Sequence, residues 1–461
     1  MALVGAYVLP HPPLAVPEVG NGNEMQIRRT LDAFDEVAKQ IAELEPDSII
    51  FITPHSIIYT DYFHISPGDS AKGDFSDFGA QKARLDTVYD KNLAEQIAVQ
   101  AERSGIPAGN LGERSPKLDH GLMVPMWFIN KRYTNYKSVR ISQSGLDPSH
   151  HYRFGQCITR AINNTASHTV IVASADLSHK LPGSSYGTVP EGAEYDRKVT
   201  EALAKGDFLS IFMIPNSLKE RAADCGYNSF LMLAGCFDRR QVQARLLSYE
   251  GPFGVGYAVI SIMPGPADDS RDTLRQYSEI ALDAAQQSKL EEDAYQTLAR
   301  QSLEYAVFNN KSVMELPAGL PADLLQRRAG VFVSLYKDGR LRGCIGTIMP
   351  TTTSVAHEII QNAVSSGLSD NRFDPVEPSE LASLVYKVDV LSPPEPISSP
   401  SELDVARYGV IVTSGMKRGL LLPNLEGVDT VQDQIAIAMS KAGIGNNEPV
   451  EMERFEVIRH E

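Results

Sequence analysis

Apolar residues along the chain follow two alternating spacings. Short unbroken runs occur at 2–9 and 48–54, the second reading Ser-Ile-Ile-Phe-Ile-Thr-Pro. Their length and composition predict strands buried on both faces. Further strands are expected at 138–142, 169–174 and 256–263. Between the first two runs, Ile27, Leu31, Phe34, Val37, Ile41 and Leu44 recur every three or four positions, which predicts a helix. Similar patterns predict helices at 91–103, 153–164, 193–204 and 227–237. Strands alternating with helices define an α/β sheet flanked by helices on both faces.

The texture changes after Ile262. Residues 263–272, Met-Pro-Gly-Pro-Ala-Asp-Asp-Ser-Arg-Asp, read as a linker. A long helical stretch is expected at 274–308, with Leu274, Tyr277 and Ile280 early and Leu298, Leu303 and Val307 late. An α+β pattern follows. Gly330–Tyr336 and Leu341–Gly346 flank Lys337-Asp338-Gly339, a hairpin turn signal. A helix is expected at 356–366, and strands at 384–391 and 409–414. The organisation expected is a first domain over 1–265, a linker and helix over 266–284, and a second domain over 285–461.

Composition narrows the function classes. A chain of 461 residues, 43% hydrophobic and 22% charged, is a folded protein of two or three domains. Its formal net charge of -15 repels polyanions, which argues against nucleic acid or an anionic membrane as partner. No run approaches the ~20 apolar residues of a membrane span. The first residues lack the basic and apolar regions of a signal peptide, so a cytoplasmic location is expected. Four cysteines are too few for a disulfide scaffold, which leaves metal binding or reactivity as their special uses.

Histidine is concentrated early. His11, His55, His64, His120, His150, His151, His168 and His179 precede residue 180, and only His357 and His460 follow. His11, His55 and His179 each come just after an apolar strand run. Ligands of open α/β sheets bind beyond the carboxyl ends of the strands, so these three can converge despite their separation. Proline beside His11 and His55 stiffens the backbone that carries each ring. His120 lies in Asp119-His120-Gly121, a polar start to an apolar helix. His64, His150, His151 and His168 have no such context and read as surface or packing residues. Cys157 and Cys236 sit in apolar helical stretches and read as core.

Four ordered motifs carry a resemblance. They are Leu9-Pro-His-Pro-Pro, Thr53-Pro-His-Ser, Leu118-Asp-His-Gly-Leu-Met-Val-Pro and Ala175-Asp-Leu-Ser-His. Together they resemble the LigB-like, class III extradiol ring-cleavage dioxygenase superfamily, which includes the Memo branch. The resemblance implies a mononuclear non-haem Fe(II) site with His11 and His55 as ligands. It implies that His120 and His179 assist oxygen binding and proton transfer. Two histidines and a carboxylate leave open positions on iron, and a neutral imidazole nearby can take and return a proton. The dioxygenases take their third ligand from a late glutamate. The matching region here is Ala222-Ala-Asp-Cys-Gly-Tyr, where Cys225 stands at the cysteine of the Memo branch. Asp224 is the alternative ligand, and Glu220 lies one turn earlier if the segment is helical. A thiolate favours zinc or copper more than a carboxylate does.

The second domain resembles the AMMECR family through Leu341-Arg-Gly-Cys-Ile-Gly, Asp370-Asn-Arg-Phe, Asp389-Val-Leu-Ser-Pro, Arg418-Gly-Leu-Leu-Leu-Pro and Lys441-Ala-Gly. Arg342 and Cys344 share one face of the expected strand, so Cys344 is a candidate nucleophile activated by Arg342 or a nearby cation. The fusion is similar to a component of the AmmeMemoRadiSam system, which implies a radical-SAM protein partner. The activity expected is an oxidoreductase of the dioxygenase type acting on a catechol-like or other small substrate. The alternative is a metal-binding accessory or scaffold without ring cleavage.

Overall fold

The computed structural model describes residues 2–165, 167–425, 427–445 and 448–461. The chain divides into two compact units between Tyr277 and Ser278.

The first unit is built on a six-stranded sheet. Its elements are β1 (Leu3–Leu9), α1 (Arg28–Leu44), β2 (Ser48–Thr53), β3 (Ser70–Phe75), β4 (Ala80–Val88), α2 (Lys91–Arg103), α3 (His120–Ile129), β5 (Lys137–Ser142), α4 (Pro148–Thr165), β6 (Thr169–Ser174), α5 (Pro190–Lys205), α6 (Asn216–Ala222), α7 (Tyr227–Cys236), β7 (Arg240–Glu250) and β8 (Tyr257–Ala267). The sheet order is β5-β2-β6-β1-β8-β7. The first four strands are parallel, while β8 runs antiparallel to β1 and to β7. Alternate residues of β2 go to opposite faces, as strand geometry requires. Ile50 and Ile52 join the core made with α2, α4, α5 and α7, whereas Ile49 and Phe51 join the core made with α1 and α3. Both faces are covered, as the unbroken apolar runs predict.

Two expectations are corrected here. Residues 263–267 are not linker: β8 continues through them, and Met263 pairs with Gln243 and Pro264 with Val242 of β7. β7 itself escaped the sequence reading because it is an edge strand, half-exposed and rich in polar residues. The hairpin of β3 and β4 escaped for the same reason, and the turn between them carries Asp77 and Phe78.

The helix expected at 274–308 is two helices, α8 (Thr273–Glu291) and α9 (Ala294–Phe308). Asp293 breaks it with extended backbone, and its carboxylate accepts the Tyr295 and Gln296 N–H groups. Gln296 returns the contact to the Asp293 N–H, completing a capping box. Asp293→Ala should therefore destabilise the second unit by about 1 kcal/mol, read from its denaturant midpoint. An unchanged midpoint would show that α9 needs no cap.

The second unit continues with β9 (Val331–Lys337), β10 (Arg340–Gly346), α10 (Val355–Leu368), β11 (Leu384–Leu391), β12 (Glu395–Ile397), β13 (Gly409–Ser414), β14 (Lys417–Leu421), α11 (Val431–Lys441), β15 (Glu451–Phe455) and β16 (Val457–His460). One antiparallel sheet has the order β10-β9-β11-β16, and a second has β12-β15-β13-β14. Asp338 and Gly339 form the β9–β10 turn, with φ of 53° and 71°. Positive φ at both central residues suits the twist of a two-residue hairpin. Val331, Val333 and Leu335 pack with α9 and α10.

Candidate metal centre

Parallel β2, β6 and β1 are neighbours, so the residues after their carboxyl ends meet. His11 follows β1, His55 follows β2, and Asp176 and His179 follow β6. The His11 N–H donates to Asp176 Oδ1 at 2.8 Å. The His11 ring is buried and sets Nδ1 2.8 Å from Ser174 Oγ. Ser174 donates its own proton to the Gly121 carbonyl, so its oxygen accepts from His11 Nδ1–H. That hydrogen bond leaves the His11 Nε2 lone pair free to face the site.

His55 Nε2 lies 3.0 Å from His11 Nε2. Either a proton on His55 or a shared cation must join these two nitrogens. Cys225 Sγ lies 3.6 Å from His11 Nε2, and the three donor atoms fall within 4.8 Å of one another. The cluster is therefore able to hold a metal ion. Left-handed Ala223 ends α6 and turns the chain into Asp224 and Cys225. Gln143 Nε2 donates to the Cys225 carbonyl and to Ser229 Oγ, both at 2.8 Å, which holds the cysteine backbone.

The electrostatics suit a cation. Burial lowers the His11 imidazole well below its ordinary value, and the His55, His120 and His179 rings add to it. His55 is lowered to about 4, chiefly by burial. Both rings are thus neutral ligands at neutral pH. Burial, then Asp176 and Asp224, push the Cys225 thiol up, so a metal must displace its proton to bind sulfur.

His120 opens α3, with Asp119 as N-cap accepting from Leu122 N–H at 3.1 Å and from Thr53 Oγ1 at 2.6 Å. Its ring stacks on His55, with centroids 4.2 Å apart. A cavity of about 390 Å³ lies beside these rings, lined by Ile57, Phe78, Leu118, Met123 and buried Arg140. The His179 N–H donates to the Ala222 carbonyl at 2.9 Å, and burial lowers its imidazole. Asp224 is not in the donor cluster. Its carboxylate is turned away to accept the Tyr227 N–H at the start of α7. Glu220 pairs with Asn216 within α6 and also stands apart.

Sequence reasoning missed Ser174, Gln143 and Asp176. Asp176 lies inside the Ala175-Asp-Leu-Ser-His motif and was within reach. Ser174 and Gln143 carried no local signal. Asp196 was missed too, and it fixes the loop bearing His179 by accepting the Ser178 N–H and the Tyr249 hydroxyl, both at 2.8 Å. Burial pushes the Asp196 carboxyl up to about 7 from its ordinary 3.8. The folded chain keeps this proton at pH values where the unfolded chain has lost it. The group's contribution to stability therefore falls as pH rises from about 4 to about 7. Asp196→Asn should lessen that fall, seen as a smaller loss of urea midpoint between about pH 5 and pH 7. An identical pH dependence in the variant would refute the assignment.

In the second unit, Arg342 is paired with Glu380. Its guanidinium is taken by Glu380, with Nη2–Oε2 at 2.9 Å and Nε–Oε1 at 3.1 Å. Strand periodicity places Arg342 and Cys344 on one face, but a carboxylate 38 residues later captures the arginine. The Cys344 thiol accepts from Ser334 Oγ at 3.2 Å, and burial pushes it up. Its backbone N–H goes to Asp370 and its carbonyl to Arg372, which together occupy the open edge of β10.

Residues 5–260 match the family model described as the catalytic LigB subunit of aromatic ring-opening dioxygenase. The chain belongs to that LigB family, joined to an AMMECR1 region that matches over residues 296–460. Protein CA_C1420 of Clostridium acetobutylicum is 41% identical over 468 residues, covering 100% of this chain and 99% of its own. A Thermotoga maritima protein is 53% identical over 150 residues, 32% of this chain and 86% of its own. Among solved structures, the uncharacterized protein PH0010 of Pyrococcus horikoshii has 32% identity and a TM-score of 0.34, covering 36% of this chain and 88% of its own. The uncharacterized protein JW3007 of Escherichia coli has 13% identity and a TM-score of 0.38, covering 56% and 99%. Among the described residues, no helix is long and apolar enough to cross a membrane.

Proposed function

We propose that the first unit is a mononuclear non-haem metal protein and an oxidoreductase acting on a small substrate, with iron(II) as its metal. His11, His55 and Cys225 hold the cation. The observation that carries this reading is the convergence of two neutral imidazole nitrogens and one sulfur, with the His11 tautomer locked by Ser174. This donor set fits a borderline-soft cation, zinc and copper included. Bound iron supplies redox chemistry and polarises a substrate oxygen. The protein supplies the rest. The cavity beside His55 takes the substrate body between Phe78 and Met123. His120 covers one side of the donor cluster, and His179, kept neutral by burial, accepts a proton from the substrate and returns it.

Oxygen uptake with iron-loaded protein and a panel of catechols tests the reading. Ring opening with at least one catechol, lost in His179→Ala with metal retained, is the result expected. No uptake by protein shown to contain iron would remove ring cleavage.

One observation favours a second reading. Cys225 stands where a dioxygenase has a carboxylate, and a thiolate donates more charge to the cation. The protein would then be a redox-linked, metal-binding accessory of a radical-SAM system, with no ring-cleavage activity. Metal binding without catechol turnover, together with co-purification of a radical-SAM protein, is its signature.

A further inference from the structure

We propose that the tip of the β3–β4 hairpin, residues 76–79, is a gate over the cavity beside His55 and His120. Phe78 is its moving wall and the Asp77–Lys117 ion pair its latch. Its role in substrate entry rests on the reading above, while its test depends on neither metal nor substrate. The tip is a single 3-10 turn, Ser76–Phe78, closed by Gly79 at a φ of 81°. It borders the cavity, which Asp77, Phe78, Lys117 and His120 all line. The Phe78 ring stands edge-on to the His120 ring, with centroids 5.4 Å apart, and is 38% exposed. Asp77 Oδ2 accepts from Lys117 Nζ at 2.7 Å.

The stem of the hairpin is fixed. Lys72 of β3 donates its N–H to the Pro116 carbonyl and accepts the Leu118 N–H, at 2.9 and 3.0 Å. Gly73 packs so closely that a Cβ there would stand 2.5 Å from Met123 Sδ and 2.9 Å from Leu118 Cβ. Phe75 is buried, its ring 6.0 Å from that of Trp127. The post of the latch is fixed too, because buried Arg140 donates from Nη1 to the Lys117 carbonyl at 2.8 Å. The tip is held far less. The Ser76 N–H goes to Asp74 Oδ1 and the Gly79 N–H to the Ser76 carbonyl, both within the hairpin. Among the described residues, the Asp77–Lys117 pair is the one hydrogen bond from the tip to the rest of the unit.

The latch is built to open. Its lysine and aspartate are 56% and 67% exposed. Exposed pairs are weak and screened by salt, so thermal motion breaks this one readily. The hairpin ladder shifts register between Asp74 and Phe75, and the space around Gly79 is open, so both ends of the tip have room to turn. A fixed stem, a weakly held tip and a cavity beside it are the parts of a gate. Open, the gate admits a small molecule to the His55–His120 stack. Closed, Phe78 shields that stack from water. Phe78, more than the rigid sheet, therefore sets the size of molecule admitted, and its ring favours a flat, unsaturated one.

The test follows the rate at which diethyl pyrocarbonate modifies His120 in the full chain, read by peptide mass spectrometry. Exposed His168 is the internal reference. At about pH 8 an ordinary imidazole is neutral, so a charge change nearby does not alter its reactivity. Asp77→Asn and Lys117→Met each break the latch and should raise the ratio of the His120 rate to the His168 rate by about 2- to 5-fold. The double variant should gain nothing further, since both changes remove the same interaction. The wild-type ratio should rise as salt goes from about 0.01 M to about 1 M, and the latch variants should show no such rise. Phe78→Ala removes the wall itself, so its ratio should exceed all of these and ignore salt. Wild-type ratios in both single latch variants, or in Phe78→Ala, overturn the proposal. An equal rise at His168 also overturns it, because that reports general loosening. Neither metal nor substrate enters the measurement, so failure of the metal reading leaves the gate standing, and failure of the gate leaves the metal reading intact.

Discussion

His11→Ala should leave anaerobically purified protein without tightly bound metal. The affinity of the metal-free chain for a divalent cation should drop by at least about 100-fold, since a structural site's ~10–16 kcal/mol is shared among very few donors. His11 is the central donor. Its Nε2 lies 3.0 Å from His55 Nε2 and 3.6 Å from Cys225 Sγ. The substitution keeps the backbone N–H that Asp176 accepts, so the end of β1 stays in place. Far-ultraviolet circular dichroism should be unchanged while metal content by mass spectrometry falls. Wild-type metal content in a folded His11→Ala protein would mean that the cation sits elsewhere.

The second large effect is expected far from any donor atom. Gly155 lies in α4 and Gly235 in α7, and the two helices touch there by their backbones. A Cβ on Gly155 would run into the Met232 carbonyl oxygen and stand 2.9 Å from Gly235 Cα. On Gly235 it would run into the Tyr152 carbonyl. On helix propensity alone, Gly155→Ala would stabilise the protein by about 1 kcal/mol. The buried backbone cannot yield as a flexible side chain would, so the clash should win. We expect a net loss of about 2 kcal/mol, seen as a fall of several degrees in the melting temperature of the first unit. The helix that must move is α7, and Cys225 lies just before it. Metal affinity should therefore weaken by about 10-fold in the same variant. A melting temperature at or above the parent's would show that propensity decides and that α4 and α7 can separate at little cost.

Much of the architecture is legible locally. The strands of the first unit are apolar on both faces because helices cover both, and an unbroken apolar run records that burial directly. The helices declare themselves by their spacing. Elements that fail to appear are those whose burial is partial. β7 alternates between half-buried and exposed residues, and its sequence resembles a polar loop. α8 and α9 share a helical texture, and the break at Asp293 depends on one cap that periodicity does not register.

The candidate site divides in the same way. Three histidines at strand ends are readable, because adjacent parallel strands bring their carboxyl ends together whatever the separation in sequence. Cys225 was reachable only through resemblance, since nothing around it marks a ligand. Asp224, one residue earlier, has the better ligand chemistry on paper, but the fold spends its carboxylate on the start of α7. Arg342 shares a strand face with Cys344, yet Glu380 takes its guanidinium.

What the sequence by itself determined is therefore the set of elements, the alternation that makes an α/β sheet, and which strand ends carry imidazole. These follow from interactions between near neighbours, and periodicity reports them. The tertiary structure alone decided which ring nitrogen of His11 faces His55 and Cys225, through Ser174 163 residues away. It also decided that Cys225 and not Asp224 joins the cluster, and that Asp176 accepts the His11 N–H beside it. Each of these depends on groups distant in sequence being packed to within a hydrogen-bond length, and a linear pattern holds no record of such distances.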